Sequence, residues 1–320
     1  MSQSTASTTL RRPHTGTGHT APAATESGPL TTTVPRQFVH RAAVAEVLLT
    51  GWQRRDEHRF TVSAQWPRAH TFFTPLLDAR HDPLLVAETI RQTGALLAHA
   101  EYGVPLDRHF LLWQLDYTAH EEHLAVGPVP AELTLDVTTE VQHRAGRLAA
   151  MHYRVQVRRG DALLATGSAQ YTCTTPGVYD RLRGDRRSAV PSETPPAPVP
   201  ARYVGRTDPR DVVLAPTDRS GVWQLRYDPH HPVLFDHPCD HVPGMVLLEA
   251  SRQAARAALG SPRFVPVSAL SVFGRYAEFD SPCLIGTTVL PADRPGTAIV
   301  NVTGHQDGHE VFNTLLTAQV

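Results

Sequence analysis

The sequence predicts an α+β fold assembled twice over, each copy a single helix wrapped by an antiparallel sheet. Two observations carry that expectation. Residues 83–99 have the apolar spacing of a helix and are followed by strand-like segments with no second helix among them. The same order then returns in the second half, behind a stretch where Pro191, Pro195, Pro196, Pro198 and Pro200 crowd among Ser, Thr, Ala and Arg.

Residues 1–34 are mostly small or polar, and cannot bury enough surface to offset their ordering entropy, so a disordered tail is expected. Ala45–Leu49 and Phe60–Ala64 read as short strands rich in β-formers. In the helix that follows, Asp82 is the expected N-cap and Pro83 the first helical residue. Leu85, Val86, Ile90 and Leu97 recur at helical spacing, and Gly103 is the stop. Phe110–Leu115, Glu132–Val137, Leu148–Val157 and Ala162–Cys173 alternate or run apolar as strands, with Arg159-Gly160-Asp161 as a hairpin signal. Isolated tryptophans such as Trp113 and Trp223 are most simply core residues. The Pro-rich stretch reads as an extended linker. The expected organisation is a tail at 1–34, a first repeat at 35–177, a linker at 178–203 and a second repeat at 204–320.

The repeat is visible residue by residue. Val39-His40-Arg41 followed by Glu46-Val-Leu-Leu49 is mirrored by Val204-Gly205-Arg206 followed by Asp211-Val-Val-Leu214. Glu88-x-x-Arg91-Gln92 returns as Glu249-x-x-Arg252-Gln253, and Ala169-Gln170 as Ala318-Gln319. Val265–Phe279, Thr287–Leu290, Thr297–Thr303 and His309–Val320 supply the second set of strands, with Asp307-Gly308 as the last hairpin. The chain is an internal duplication.

Composition removes several function classes. Thirty basic residues balance 31 acidic ones, so no electrostatic footprint for nucleic acid is visible. Every basic residue is Arg, which excludes Schiff-base and P-loop lysine chemistry. Cys173, Cys239 and Cys283 are odd in number and widely spaced, which argues against a disulfide framework and for a reducing compartment. No apolar run approaches the roughly 18–20 residues needed to span a bilayer. The start lacks the apolar core of a signal peptide. A cytoplasmic protein without membrane segments is expected.

The stretch Phe235 to Gln253 carries the chemistry. His237-Pro-Cys-Asp-His241-Val-Pro-Gly244 delivers polar groups to the start of a helix, where free N–H groups and the dipole suit an oxyanion. Glu249 sits in the middle of an apolar run, and burying an unpaired carboxylate costs several kcal/mol. At i,i+3 spacing it shares a helix face with Arg252, as Glu88 does with Arg91. Such a pair is either a salt bridge or a general base beside an anion clamp. His120-Glu-Glu-His123 falls one residue short of a zinc helix, and His237, Cys239, Asp240 and His241 are too crowded for one tetrahedral site. No metal is expected. Cys239 lacks a clear activating base, and no Gly-rich phosphate loop appears, so no bound cofactor is expected either.

Asp240-His-Val-Pro-Gly-Met-Val-Leu-Leu-Glu249-Ala resembles the signature of hotdog-fold 3-hydroxyacyl-carrier-protein dehydratases, in which an acid follows six residues after the Pro. The catalytic His of those enzymes stands 14 residues before the acid, and here that position is Phe235. Residues 36–320, with two such repeats and Val-Pro-Gly-Met-Val-Leu-Leu-Glu-Ala-x-Arg-Gln, more closely resemble the A-factor biosynthesis (AfsA-like) hotdog family. The first repeat departs from the pattern, having Asp82-Pro83-Leu84 in place of the Pro-Gly turn. The resemblance implies a tandem hotdog, monomeric or dimeric. It also implies transfer of a β-ketoacyl group from acyl carrier protein to the hydroxyl of dihydroxyacetone phosphate, on the way to a γ-butyrolactone signal. It makes Glu249, Arg252 and Glu88 the catalytic positions, with Glu249 as base. Arg91 follows by the internal repeat, and His237, His241 and Gly244 join it as substrate-binding positions. The alternatives are a hotdog dehydratase or thioesterase, or a non-catalytic acyl-binding regulator.

Overall fold

A computed structural model describes residues 30–73, 79–261 and 264–319. Strands β1 (Leu49–Arg54) and β2 (Arg59–Trp66) precede helix α1 (Leu84–Ala100). Then come β3 (His109–Ala119), β4 (Ala131–Arg144), β5 (Arg147–Arg159), β6 (Ala162–Thr174) and helix α2 (Pro176–Arg183). The second half runs β7 (Leu214–Pro216), β8 (Val222–Leu225), helix α3 (Gly244–Leu259), β9 (Ser268–Phe273), β10 (Leu284–Leu290), β11 (Thr297–Gln306) and β12 (His309–Gln319).

These twelve strands form one antiparallel sheet in the order β1-β2-β4-β5-β6-β3-β9-β12-β11-β10-β8-β7. The order is palindromic, each strand of the first half facing its repeat counterpart across the β3–β9 junction, where Gln114 pairs with Val272 and Thr118 with Ser268. This is the tandem hotdog arrangement, and residues 32–320 make one unit rather than two separable domains. Strand β4 alternates buried and exposed residues over most of its length, one face in the core and one in solvent.

Helix α1 is enclosed almost all round, only Arg91 and Ala100 being partly exposed. Sheet side chains therefore satisfy helix atoms directly: Tyr153 Oη donates to Ile90 O (2.8 Å) and Tyr171 Oη to Gly94 O (2.9 Å). A Cβ on Gly94 would meet Tyr153 Oη at 2.4 Å. Gly94→Ala, which in a free helix stabilises by about 1 kcal/mol, is expected here to lower the unfolding free energy by about 1–3 kcal/mol, as overpacking does. A urea titration showing a more stable variant would refute that close approach.

Several sequence expectations need correction. Ala45–Leu49 is not a strand: a 3₁₀ turn occupies Val44–Glu46 and β1 begins at Leu49. The Gln92 side chain explains this, donating to Glu46 O (2.7 Å) and accepting from Leu48 N–H (2.9 Å) in place of a ladder neighbour. Gln253 does the same for Asp211 O and Val213 N–H. The linker is not wholly extended, since residues 176–183 form α2 and its Arg183 is buried. Trp113 is not core: it lies at a register shift in β3, 38 % exposed. The tail falls almost wholly outside the described residues, although Val34 is already buried, with its N–H on Leu49 O.

Candidate active site

Each repeat buries one carboxylate between two guanidiniums and a glutamine. In the first, Glu88 accepts from Arg41 Nε (3.0 Å), Arg91 Nε and Nη2 (2.9 and 2.8 Å) and Gln92 Nε2 (2.7 Å). In the second, Glu249 accepts from Arg206 Nε (2.8 Å), Arg252 Nε and Nη2 (both 2.9 Å) and Gln253 Nε2 (2.5 Å). The first Arg of each trio also ties the repeats together: Arg41 Nη1 donates to Val233 O and Arg206 Nη1 to Phe72 O. Burial alone would raise both carboxyls. The flanking guanidiniums override it and bring each down to about 2.

The two clusters then diverge. Asp82 closes the second one, its Oδ2 accepting from Arg252 Nη1 at 2.9 Å while its Oδ1 takes the Leu84 N–H at the start of α1. Phe72 lies under Arg206, 4.0 Å from ring centroid to guanidinium carbon. Arg256 fills the remaining space, so close to Gly205 that a Cβ there would meet Nη1 at 2.5 Å. In the first repeat Ala95 stands where α3 has Arg256, and His40 where the second has Gly205. His40 holds a left-handed backbone (φ 52°) that the glycine adopts freely. No Asp82 counterpart reaches Arg91, whose Nη1 makes no hydrogen bond among the described residues.

A cavity of about 580 Å³ opens at this first cluster, a volume ordinary for a small-molecule site. Both repeats line it. Its polar groups include His40, Arg41, Arg91, Asp236, His237, Cys239 and His241, and its apolar wall includes Phe110, Leu112, Met245, Leu248 and Phe273. Leu182 and Arg186, at the end of α2 and just beyond, also line it, as does the misassigned Trp113. Gly244 opens α3 against the cavity, and among the described residues its N–H and that of Met245 have no intramolecular acceptor. The equivalent end of α1 is capped by Asp82.

The cavity thus gathers Arg91, His237, His241 and Gly244, and leaves out Glu88, Glu249 and Arg252. Glu88 touches it only through Arg41 and Arg91. Glu249 is fully buried, held by Arg206 Nε, Arg252 and Gln253, while Arg206 Nη2 beside it is buried without a hydrogen-bond partner among the described residues. Sequence reasoning missed Arg41 and His40, although Val39-His40-Arg41 and Val204-Gly205-Arg206 were visibly paired. It also missed Asp236, whose oxygens accept the Ala42 and Ala43 N–H groups and so hold Arg41 and His40 in place. Among the described residues no group of three or more His, Cys, Asp or Glu side chains gathers as metal ligands. No described helix is long and apolar enough to cross a membrane.

The model of the A-factor biosynthesis hotdog domain matches residues 23–175 and 188–309. The chain belongs to the A-factor biosynthesis hotdog family. A 2-oxo-3-(phosphooxy)propyl 3-oxoalkanoate synthase of Streptomyces virginiae is 52 % identical over 288 residues, spanning 90 % of this chain and 98 % of that one. A synthase of the same name from Streptomyces griseus is 49 % identical, spanning 88 % and 94 %. Among solved structures, the 12:0-ACP thioesterase of Umbellularia californica superposes with a TM-score of 0.52 at 11 % identity, covering 84 % of this chain and all of that one. At that identity the likeness speaks for the shared hotdog fold alone.

Proposed function

We propose that this A-factor family member is an acyltransferase that moves a β-ketoacyl group from acyl carrier protein to the hydroxyl of dihydroxyacetone phosphate. The synthase relatives are named for the ester this reaction would make. One observation supports placing it in the first-repeat cavity: a guanidinium with an unused edge and a helix start with unused N–H groups line the same space.

Arg91 Nη1 meets the phosphate, and Arg41 adds charge beside it. Glu88 holds both, bidentate to Arg91 and through Oε1 to Arg41. The Gly244 and Met245 N–H groups receive the oxyanion formed when the hydroxyl attacks the thioester carbonyl. The acyl chain lies on the wall of Phe110, Leu112, Met245 and Phe273. Arg186 at the cavity, half-exposed and paired with Glu278 and Asp280, is the basic group that a carrier protein's acidic surface would meet. Transfer goes straight to the acceptor hydroxyl in this reading; burial, then Asp240, pushes the Cys239 thiol up to about 11, which favours its protonated form. Glu249 and Arg252 act as an internal anchor, replacing the base and clamp that the sequence suggested for them.

The assay is purified protein with a 3-oxoacyl carrier protein and dihydroxyacetone phosphate, read by mass spectrometry. The phosphorylated ester and free carrier thiol are expected. Free 3-oxo acid without ester would instead mark a thioesterase.

A further inference from the structure

We propose that His241 is the proton acceptor of the transfer, that Asp240 orients it, and that Arg183 of the inter-repeat segment is the positioning residue behind both. The proposal rests on the acyl-transfer reading above.

Asp240 Oδ1 lies 2.7 Å from His241 Nδ1. A carboxylate can only accept, so Nδ1 carries the proton and Nε2 is left with its lone pair, without a partner among the described residues. The ring lines the cavity, three and four residues ahead of the N–H groups of Gly244 and Met245, and packs edge-on against Tyr276 at 4.6 Å. Base and oxyanion donors thus stand on one short stretch of backbone.

Asp240 does not hold this pose alone. Tyr179 Oη donates to the same Oδ1 (2.8 Å), and Arg183 Nε donates to Oδ2 (3.2 Å). Arg183 Nη2 also donates to the Asp240 main-chain O (2.7 Å), while Nη1 and Nη2 grip both oxygens of Glu278 (2.7 and 2.8 Å). Its guanidinium carbon sits 4.3 Å over the Tyr276 ring. Burial would raise the Asp240 carboxyl. The bonds from His241 and Tyr179 and the charge of Arg183 override it, holding the carboxyl well below the usual range and therefore ionised. Tyr179 and Arg183 both belong to α2, which composition alone reads as a spacer. It is the support of the dyad.

Several other titratable groups of the cavity are less suited to take a proton. His40 Nε2 is spent on His99 Nε2 at 2.7 Å, and burial, then Arg91, lowers His40 to about 3. Both Asp236 oxygens take main-chain N–H groups. His237 lies 3.4 Å from that already occupied carboxylate. Glu278 is spent on Arg183.

In the step, His241 Nε2 takes the acceptor's hydroxyl proton as its oxygen bonds to the thioester carbon. The C–S bond then breaks, and the imidazolium returns the proton to the leaving thiolate. One thioester and one alcohol give one ester and one thiol.

The test is steady-state kinetics of ester formation. His241→Gln should lower kcat about 10²–10⁴-fold, the range of a general base, with KM for dihydroxyacetone phosphate and the melting temperature little changed. His241→Gly should regain turnover with added imidazole. Asp240→Asn should lower kcat with KM unchanged. Arg183→Met should do so in part, and Arg183→Lys, which restores the charge alone, should not rescue it, because Lys lacks the planar fork. Wild-type kcat in His241→Gln overturns the dyad and leaves acyl transfer standing. No ester from the wild-type enzyme overturns the acyl-transfer reading, and the dyad falls with it.

Discussion

Glu249→Gln is expected to cost about 3–5 kcal/mol of stability, the usual penalty for removing one partner of a buried ion pair, while the folded fraction keeps its chemistry. Two guanidiniums and one amide converge on this carboxylate with no exposure to solvent. Gln keeps the shape and removes the charge, leaving Arg206 with no carboxylate and Arg252 with Asp82 alone. Urea unfolding and turnover per folded molecule separate the two roles this residue could have. A stable variant with no turnover would restore Glu249 as the catalytic base and sink the anchor.

Acid should expose the same anchor. Glu88 and Glu249 sit at about 2 in the fold against an ordinary 4.5, because their guanidinium partners outweigh burial. A folded value below the unfolded one means stability that is fully present above about 4.5 and lost as pH falls from there toward 2. The share of each is on the order of 3 kcal/mol. The stability gap between wild type and Glu249→Gln should therefore narrow across that window, as followed by urea midpoints at successive pH values.

The architecture was legible because it is periodic and written twice. The alternation along Glu132–Val137 and the returning Glu-x-x-Arg-Gln are signals several residues long. What stayed hidden turns on single positions whose effect exists only once the halves meet. Ala95 against Arg256, His40 against Gly205, and an Asp82 without a counterpart decide which of two matched clusters opens into a cavity. Read in one dimension, Glu249 was an acid needing a partner, and Arg206, Arg252 and Gln253 supply it. The same limit hid α2: a Pro- and Arg-rich stretch looks like a spacer until Arg183 is found gripping Asp240 and Glu278. Residues 45–48 misled for a local reason, since β-forming side chains there surrender their backbone partners to Gln92.

Arg91 and Arg252 occupy equivalent places in the two repeats, yet their substitution should give opposite phenotypes. Among the described residues Arg91 Nη1 makes no hydrogen bond and the side chain is partly exposed in the cavity, whereas Arg252 gives Nη1 to Asp82 and is buried. Losing a desolvated charge-assisted contact to a phosphate costs about 2–5 kcal/mol, or at least about 30-fold in affinity. Arg91→Met should accordingly raise KM for dihydroxyacetone phosphate by roughly 10²-fold. It should also erase the preference over unphosphorylated dihydroxyacetone, because the residue that tells them apart is gone. Arg91→Lys should recover little, since the planar fork that meets both Glu88 oxygens is lost. Arg252→Met should unfold at markedly lower urea, yet keep its acceptor preference while folded. If Arg252→Met were the variant that lost the preference, the phosphate would lie at the second cluster and the cavity assignment would be wrong.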